Sequence, residues 1–288
     1  MPSRDVIKNL QLGEGDAPNT VHISTYGDES SEMALFPEYG IPLHQAPIDL
    51  RQYEQAFDAL PGNEKLAVRV WTLMEDDTMS YNDGSPNLTL LGLSPVNTGM
   101  NEQLRRNVPV DQWSKPEKIM YRSLLNAFNS DLPTQHGSYL RAAEYKIGQY
   151  IPWADTISPG DIVTNYPAFM SVSAQDTYAR LLVMQVMEDA IGNREHIQAL
   201  IFYKIENARQ CMPLLYGIAS TSEMENEYLY RPKSFFRVKG ISTCYAIEGD
   251  MEPGMRIAVV LEELEHHVAS AKNLFSGAVV DNFLPPSA

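Results

Sequence analysis

The feature that most limits what this chain can fold into is a change of hydrophobic period near residue 130. Upstream, apolar residues recur at helical spacing. Leu66, Ala67, Val70, Trp71 and Met74 line one face of a predicted helix, with Asn63 placed to cap it. In SKPEKIMYRSLLNAF, Ser114 and Glu117 form a capping box, Pro116 suits the first turn, and Met120, Leu124 and Phe128 share a face. Downstream, short apolar or alternating runs are bounded by Gly, Pro and Asn: SYLRAAEY, GDIVTNYPAFMSVSA, ALIFYKIE, EYLYRPKSFFRVKGI and RIAVVLEE. These read as strands, interrupted by one helix over 177–191. Helices first and strands afterwards predict an α+β domain and argue against a doubly wound sheet.

The flanks lack this patterning. Residues 11–48 are rich in Gly, Pro, Ser, Asp and Glu, which predicts an extended or disordered arm. The expected division is a flexible arm over 1–57, a folded domain over 58–270 and a tail over 271–288. Residues 76–98 surround the apolar run LTLLGL with Asp, Asn, Gly and Pro, as expected of a long inserted loop with a small strand at most.

Charge narrows the ligands. The 288 residues carry 22 Lys and Arg against 37 Asp and Glu, a net charge of −15. Such a chain repels nucleic acid and anionic membranes, so neither is expected as a partner, and a polyanionic ligand must be held by a few local cations. Cys211 and Cys244 have neither metal-ligand spacing nor a disulfide framework, which fits a reducing compartment, although one bridge is open to them. No apolar run reaches 18 residues, and the start MPSRDVIKNLQLGEGDAPN lacks the apolar stretch of a secretory signal, which argues against Sec export.

Three strand segments could carry chemistry. Arg141 in HGSYLRAAEY offers a guanidinium fork suited to a phosphate; a strand-edge arginine paired to a carboxylate would look the same. Ser171 and Ser173 in NYPAFMSVSA lie two apart, so both hydroxyls face one side, where they could orient a carboxylate or a ribose; two serines on the solvated face of an edge strand are the alternative. Glu225 and Glu227 in STSEMENEYLYRPKSFFRV, with Glu223 nearby, would project to one face at the start of a strand. Paired carboxylates suit glycosidic cleavage, one stabilising an oxocarbenium-like centre and the other activating a nucleophile; a solvated acidic turn is the alternative. Other motifs are missing: Gly-x-Gly-x-x-Gly, the P-loop and His-Glu-x-x-His. His266 and His267 are adjacent and would point apart, His136 reads as a loop residue, and Asp76, Asp77 and Asp83 miss calcium-loop spacing.

The order of these motifs resembles the Arg, Ser, Glu class of bacterial toxin and effector mono-ADP-ribosyltransferases. GDIVTNYPAFMSVSA is similar to that family's Ser-Thr-Ser strand and MENEYLYRPKSFFRV to its Glu-x-Glu strand. EKLAVRVWT resembles its first helix, GMNEQLRRN its Asn-x-x-Leu-Arg segment and EKIMYRSLLNAFNSDLP the helix before its arginine strand. The likeness spans about residues 60–265. Leu140, Ala142 and Val172 stand where the family commonly has an aromatic, Gly and Thr.

The resemblance implies a helical front followed by two packed, mostly antiparallel β-sheets around an NAD⁺ cleft, with NAD⁺ as substrate and no metal. Arg141 would contact the phosphates and hold the cleft. Ser171 would position Glu227, with Ser173 also at the nucleotide. Glu227 would bind the 2′-hydroxyl of the nicotinamide ribose and stabilise the cation formed as nicotinamide leaves. Glu225 would orient the acceptor, with arginine favoured, and the loop 214–224, including Tyr216, would recognise the target. The implied protein is a monomeric effector, held in the bacterial cytoplasm until a non-Sec route delivers it to a host protein in the host cytoplasm. A phage enzyme acting inside a bacterium would share these features. An NAD⁺ glycohydrolase and an inactive binding module of the same fold are the rival readings.

Overall fold

In the computed structural model, residues 21–24, 35–36, 40–72, 96–146, 149–183, 197–220, 226–246, 254–266, 268–281 and 283 are described. Helices come first. Helix α1 (Leu50–Ala59) starts at Asp49, whose carboxylate accepts the N–H groups of Arg51 and Gln52. This satisfies two of the donors that a helix start leaves open. Helix α2 (Gly62–Trp71) follows Pro61 without a side-chain cap, so Asn63 lies inside the first turn and does not cap it. Helix α3 (Val96–Arg105) begins within the stretch expected to be loop, and the rest of that insertion lies outside the described residues. Helix α4 (Lys115–Phe128) carries the expected capping box, Ser114 and Glu117 each bonding the other's backbone.

The strands are β1 (Val21–Ser24), β2 (Gly137–Lys146), β3 (Ile162–Thr164), β4 (Met170–Ser173), β5 (Ile197–Ala208), β6 (Met212–Pro213), β7 (Glu227–Tyr230), β8 (Phe235–Ala246), β9 (Gly254–Leu264), β10 (Ser270–Asn273) and β11 (Val279–Asp281). A one-turn helix, α5 (Pro152–Asp155), precedes β3. The hydrogen-bonded order is β11-β10-β3-β8-β9-β5-β2-β4-β7-β6, with β1 on β8. Most neighbours are antiparallel; β5 with β9 and β3 with β10 run parallel. The class is α+β, as the sequence predicts.

Hydrogen bonding is continuous, yet β2 and β4 pair only at Leu140 and Ser173, and the sheet folds over at this link. Met170 and Val172 of β4 and Tyr228 and Tyr230 of β7 therefore share a core with Ile201, Tyr203, Ile205, Phe236, Val259 and Leu261 from the larger part. The two halves of one curled sheet thus pack face to face. Leu229 faces the other way, with Phe169, Met212 and Leu214, into a second core closed by Tyr53, Phe57, Trp71, Met100, Leu104 and Leu124 of the helices. Each large apolar side chain so buried contributes about 1.5–3 kcal/mol.

Packing begins before residue 58. Tyr53 and Phe57 are fully buried, and Phe36 and Ile41 sit on the outer face of β2 and β5 with Leu140, Ala142, Leu200 and Phe202. Phe36 meets Phe202 edge-on. The flexible arm expected through residue 57 is thus corrected over residues 21–24, which pair with β8, and over 35–36 and 40–57, whose scattered apolar positions have somewhere to go. The expected tail likewise contains β10 and β11, which extend the sheet next to β3. Residues 177–183 are helical as expected, and the continuation to 191 lies outside the described residues.

Candidate active site

The bend between β2 and β4 brings the sequence motifs together. Along β4 the burial alternates: Met170 and Val172 are buried in the sandwich core, while Ser171 and Ser173 are half-buried on the opposite side. This is the period-2 geometry of a strand. Strand β7 pairs antiparallel with β4 so that Ser173 lies opposite Glu227 and Ser171 opposite Leu229. Ser171 and Glu227 are therefore diagonal neighbours. Neither serine is on an edge strand, because β4 runs between β2 and β7.

Trp71, the last residue of α2, joins the pair. Its indole N–H lies 3.2 Å from the hydroxyl oxygen of Ser171 and 3.1 Å from Oε1 of Glu227. Trp71 is only 2% exposed and packs on Phe169, with ring centroids 5.3 Å apart. An indole N–H can donate and cannot accept, so it selects oxygen acceptors at both positions. Asn101 of α3 fixes the same strand from the helical side: its carbonyl accepts the Phe169 N–H at 2.9 Å and its amide donates to the Phe169 carbonyl at 3.2 Å. Ser173 has a different task, accepting the N–H of Gln175 in the turn that leaves β4.

Arg141 lies one strand over. β2 runs between β5 and β4, so Arg141 is not at an edge, and among the described residues it forms no ion pair within 4 Å. One guanidinium nitrogen donates to the Ser171 carbonyl at 2.8 Å, tying β2 to the strand that carries the serines. Its Nε is buried and has no hydrogen-bond partner among the described residues. Burial pulls the guanidinium below the usual arginine range, opposed by Tyr203, Tyr178, Glu227 and Tyr145 around it. A second cation stands beside it. Arg105, at the end of α3, is likewise held below the usual range, first by burial and then by the like charge of Arg141. Both guanidiniums lie against the ring of Phe275, at 5.4 Å for Arg105 and 5.7 Å for Arg141.

The loop after β6 begins directly opposite the carboxylate residue, since Leu214 donates its N–H to the Glu227 carbonyl at 2.9 Å. The Tyr53 hydroxyl donates to the Pro213 carbonyl, and Arg69 Nε donates to the Ile218 carbonyl at 3.2 Å. Tyr216, which bridges to Ser220 and closes the turn over 217–219, is 52% exposed. Glu223 and Glu225 fall among residues 221–225, outside the described residues. Asn226, which leads into Glu227, has φ +36°, a left-handed conformation that asparagine tolerates better than most residues.

Arg141, Ser171 and Glu227 are therefore neighbours, as the ordered motifs implied. Trp71, Arg105 and Phe275 were not singled out by sequence reasoning. Arg105 closes the Asn-x-x-Leu-Arg segment, which was the available signal for it; Trp71 reads as an ordinary core position of an amphipathic helix. Chemically, a carboxylate held beside a hydroxyl and near the Arg141 guanidinium, which has Arg105 next to it, suits a ligand that carries phosphates and a centre that becomes positively charged. Among the described residues no group of three or more His, Cys, Asp or Glu side chains is placed to hold a metal ion. None of the described helices is long and apolar enough to cross a membrane.

No protein-family model matches the chain, and no curated protein matches its sequence. Solved structures do match. The ADP-ribosyltransferase Vis, in complex with agmatine, is 17% identical over 83% of this chain and 98% of its own, with a TM-score of 0.49. The Clostridium limosum C3 exoenzyme is 11% identical over 75% of this chain and 91% of its own, with a TM-score of 0.45. Plx2a, an ADP-ribosyltransferase toxin from Paenibacillus larvae, is 14% identical over 75% of this chain and 92% of its own, with a TM-score of 0.42.

Proposed function

We propose that the chain is a mono-ADP-ribosyltransferase that cleaves NAD⁺ and transfers ADP-ribose to a protein side chain, arginine by preference. The observation that carries this reading is the shared Trp71 N–H, which gathers Ser171 and Glu227 at one point on the β4–β7 pair while Arg141 holds the Ser171 carbonyl. Arg105 and the open donors of Arg141 would take the pyrophosphate. Glu227 would accept the 2′-hydroxyl of the nicotinamide ribose. As the C1′–N bond breaks, nicotinamide leaves with the bonding pair, and the Glu227 carboxylate stabilises the oxocarbenium-like centre left behind. An acceptor side chain adds to C1′ and gives up a proton, a step assigned to Glu225. Tyr216 would meet the target protein, since its loop is anchored by Tyr53 and Arg69 and starts at the Glu227 backbone.

The biological reading is an effector toxin, active as a monomer, that leaves the bacterium and modifies a host protein in the host cytoplasm. Its support is the acidic charge of −15 and the ordered motifs, which include no pattern for metal, redox dinucleotide or nucleotide hydrolysis chemistry. The test is incubation with labelled NAD⁺ and host lysate. Wild type is expected to label protein, Glu227→Gln to lose labelling and NAD⁺ cleavage together, and Glu225→Gln to lose labelling while cleavage persists. Labelling by Glu227→Gln at the wild-type rate would disprove the mechanism. Free ADP-ribose without labelled protein would identify a glycohydrolase instead.

A further inference from the structure

We infer that Phe275, in the turn between β10 and β11, is a positioning residue that sets Arg105 and Arg141 as a paired anion-binding group. The identity of the anion as NAD⁺ rests on the proposed function. The three side chains come from the end of α3, the middle of β2 and the carboxy-terminal turn, so only the fold brings them together. Two guanidiniums gathered on one ring repel, and Arg105 is held below the usual arginine range first by burial and then by the like charge of Arg141, against the opposing pull of Glu102. A carboxylate between them would relieve the repulsion, but it would occupy their forks and repel an anionic ligand. Among the described residues neither arginine forms an ion pair within 4 Å. The Phe275 ring lies against both cations instead, at 5.4 and 5.7 Å, its negative face attracting them without taking any N–H beyond the one that Arg141 gives to the Ser171 carbonyl.

The turn that carries the ring is built to hold it still. Asn273 accepts the N–H groups of Phe275 and Ser276 through its side chain, and its backbone carbonyl accepts the Gly277 N–H at 2.8 Å. The Tyr145 hydroxyl donates to the Phe275 carbonyl at 3.3 Å. Gly277 has φ +69°, and a Cβ there would come within 2.8 Å of Pro152, so the backbone path closes the turn against α5. A segment that sequence patterning assigns to a tail thus supplies part of the site.

The test compares wild type with Phe275→Leu, Phe275→Tyr and pentafluorophenylalanine at position 275, which keeps the ring's shape and reverses the sign of its face. Binding of NAD⁺ and of inorganic pyrophosphate is measured by titration calorimetry, with kcat and KM for NAD⁺ cleavage alongside. Phe275→Leu and the fluorinated ring are expected to weaken both ligands roughly 5- to 10-fold and to raise KM with kcat within about twofold; Phe275→Tyr should remain within about twofold of wild type. Wild-type affinity for pyrophosphate in the fluorinated protein overturns the inference, as does a fall in kcat at unchanged affinity. Should wild type bind pyrophosphate but not NAD⁺, the proposed function fails while the pyrophosphate series still decides the role of Phe275. Wild type that binds neither overturns both.

Discussion

Replacing Trp71 with Phe removes one N–H and leaves an aromatic ring in place. That donor serves the Ser171 hydroxyl at 3.2 Å and the Glu227 carboxylate at 3.1 Å, and both acceptors belong to the proposed catalytic pair. A hydrogen bond to a charged group is worth about 1.5–3 kcal/mol, most of which is lost when only the donor is deleted. If the bond holds Glu227 where the developing charge appears, the loss falls on kcat by roughly 10- to 150-fold. NAD⁺ affinity should stay within about threefold, because the guanidiniums are untouched. The smaller ring leaves a space in a residue only 2% exposed, against Phe169 and the α2–α4 core, and large-to-small changes of this kind cost about 1–2 kcal/mol. Stability and catalysis must therefore be read separately. The assay is single-turnover NAD⁺ cleavage at saturating substrate, with a thermal melt of the same sample and Ser171→Ala and the double variant completing a cycle. A Trp71→Phe protein that melts several degrees lower yet cleaves at the wild-type rate would refute the positioning role and leave Trp71 as core alone.

Three further outcomes follow from buried contacts. Glu263 is 8% exposed and accepts the Tyr230 hydroxyl at 2.8 Å and the Arg209 N–H at 3.0 Å, yet burial dominates and raises its proton affinity above the usual 4.5. A raised folded-state value means that ionisation costs stability as pH climbs past 4.5, so Glu263→Gln should gain relative to wild type toward neutrality. The melting difference between the two proteins is expected to shrink as pH falls toward 4.5, and a difference independent of pH would contradict it. Gly137→Ala should destabilise by about 1–3 kcal/mol in urea titration, because the new Cβ would meet the His44 carbonyl at 2.7 Å and the Gln45 Cα at 3.0 Å, both backbone atoms; a neutral result would mean that the segment before α1 yields freely. Tyr53→Phe strands the Pro213 carbonyl and should cost about 1–3 kcal/mol, with faster amide exchange over 214–220. Unchanged exchange there would detach α1 from the Tyr216 loop.

How legible each feature was depended on the range of the interaction behind it. The capping box of Ser114 and Glu117 is a contact over three residues, and the strand alternation at Ser171 and Ser173 is a period-2 pattern; both are visible in the sequence and both hold. Asn63 went astray because a polar residue ahead of an apolar run is ambiguous by one position, and Pro61 set the helix start instead. Residues 40–57 and 270–281 were misread for a different reason. Their composition is that of loops, and their order comes from contacts across the chain: Tyr53 with Pro213, Gly137 against His44, β10 against β3. The site divides in the same way. Arg141, Ser171 and Glu227 lie on strands whose order in the sequence is their order across the β2-β4-β7 part of the sheet, so a linear pattern could find them. Trp71, Arg105 and Phe275 reach the same place from a helix terminus, another helix terminus and a turn after β10. Each also has an ordinary structural identity as core aromatic, surface arginine or loop phenylalanine. What distinguishes them is the direction in which a single N–H, guanidinium or ring face points, and that is set by tertiary packing. On the proposed reading the strand motifs would supply the reacting carboxylate, while the residues that would aim it and gather its ligand come from elements that no local pattern marks.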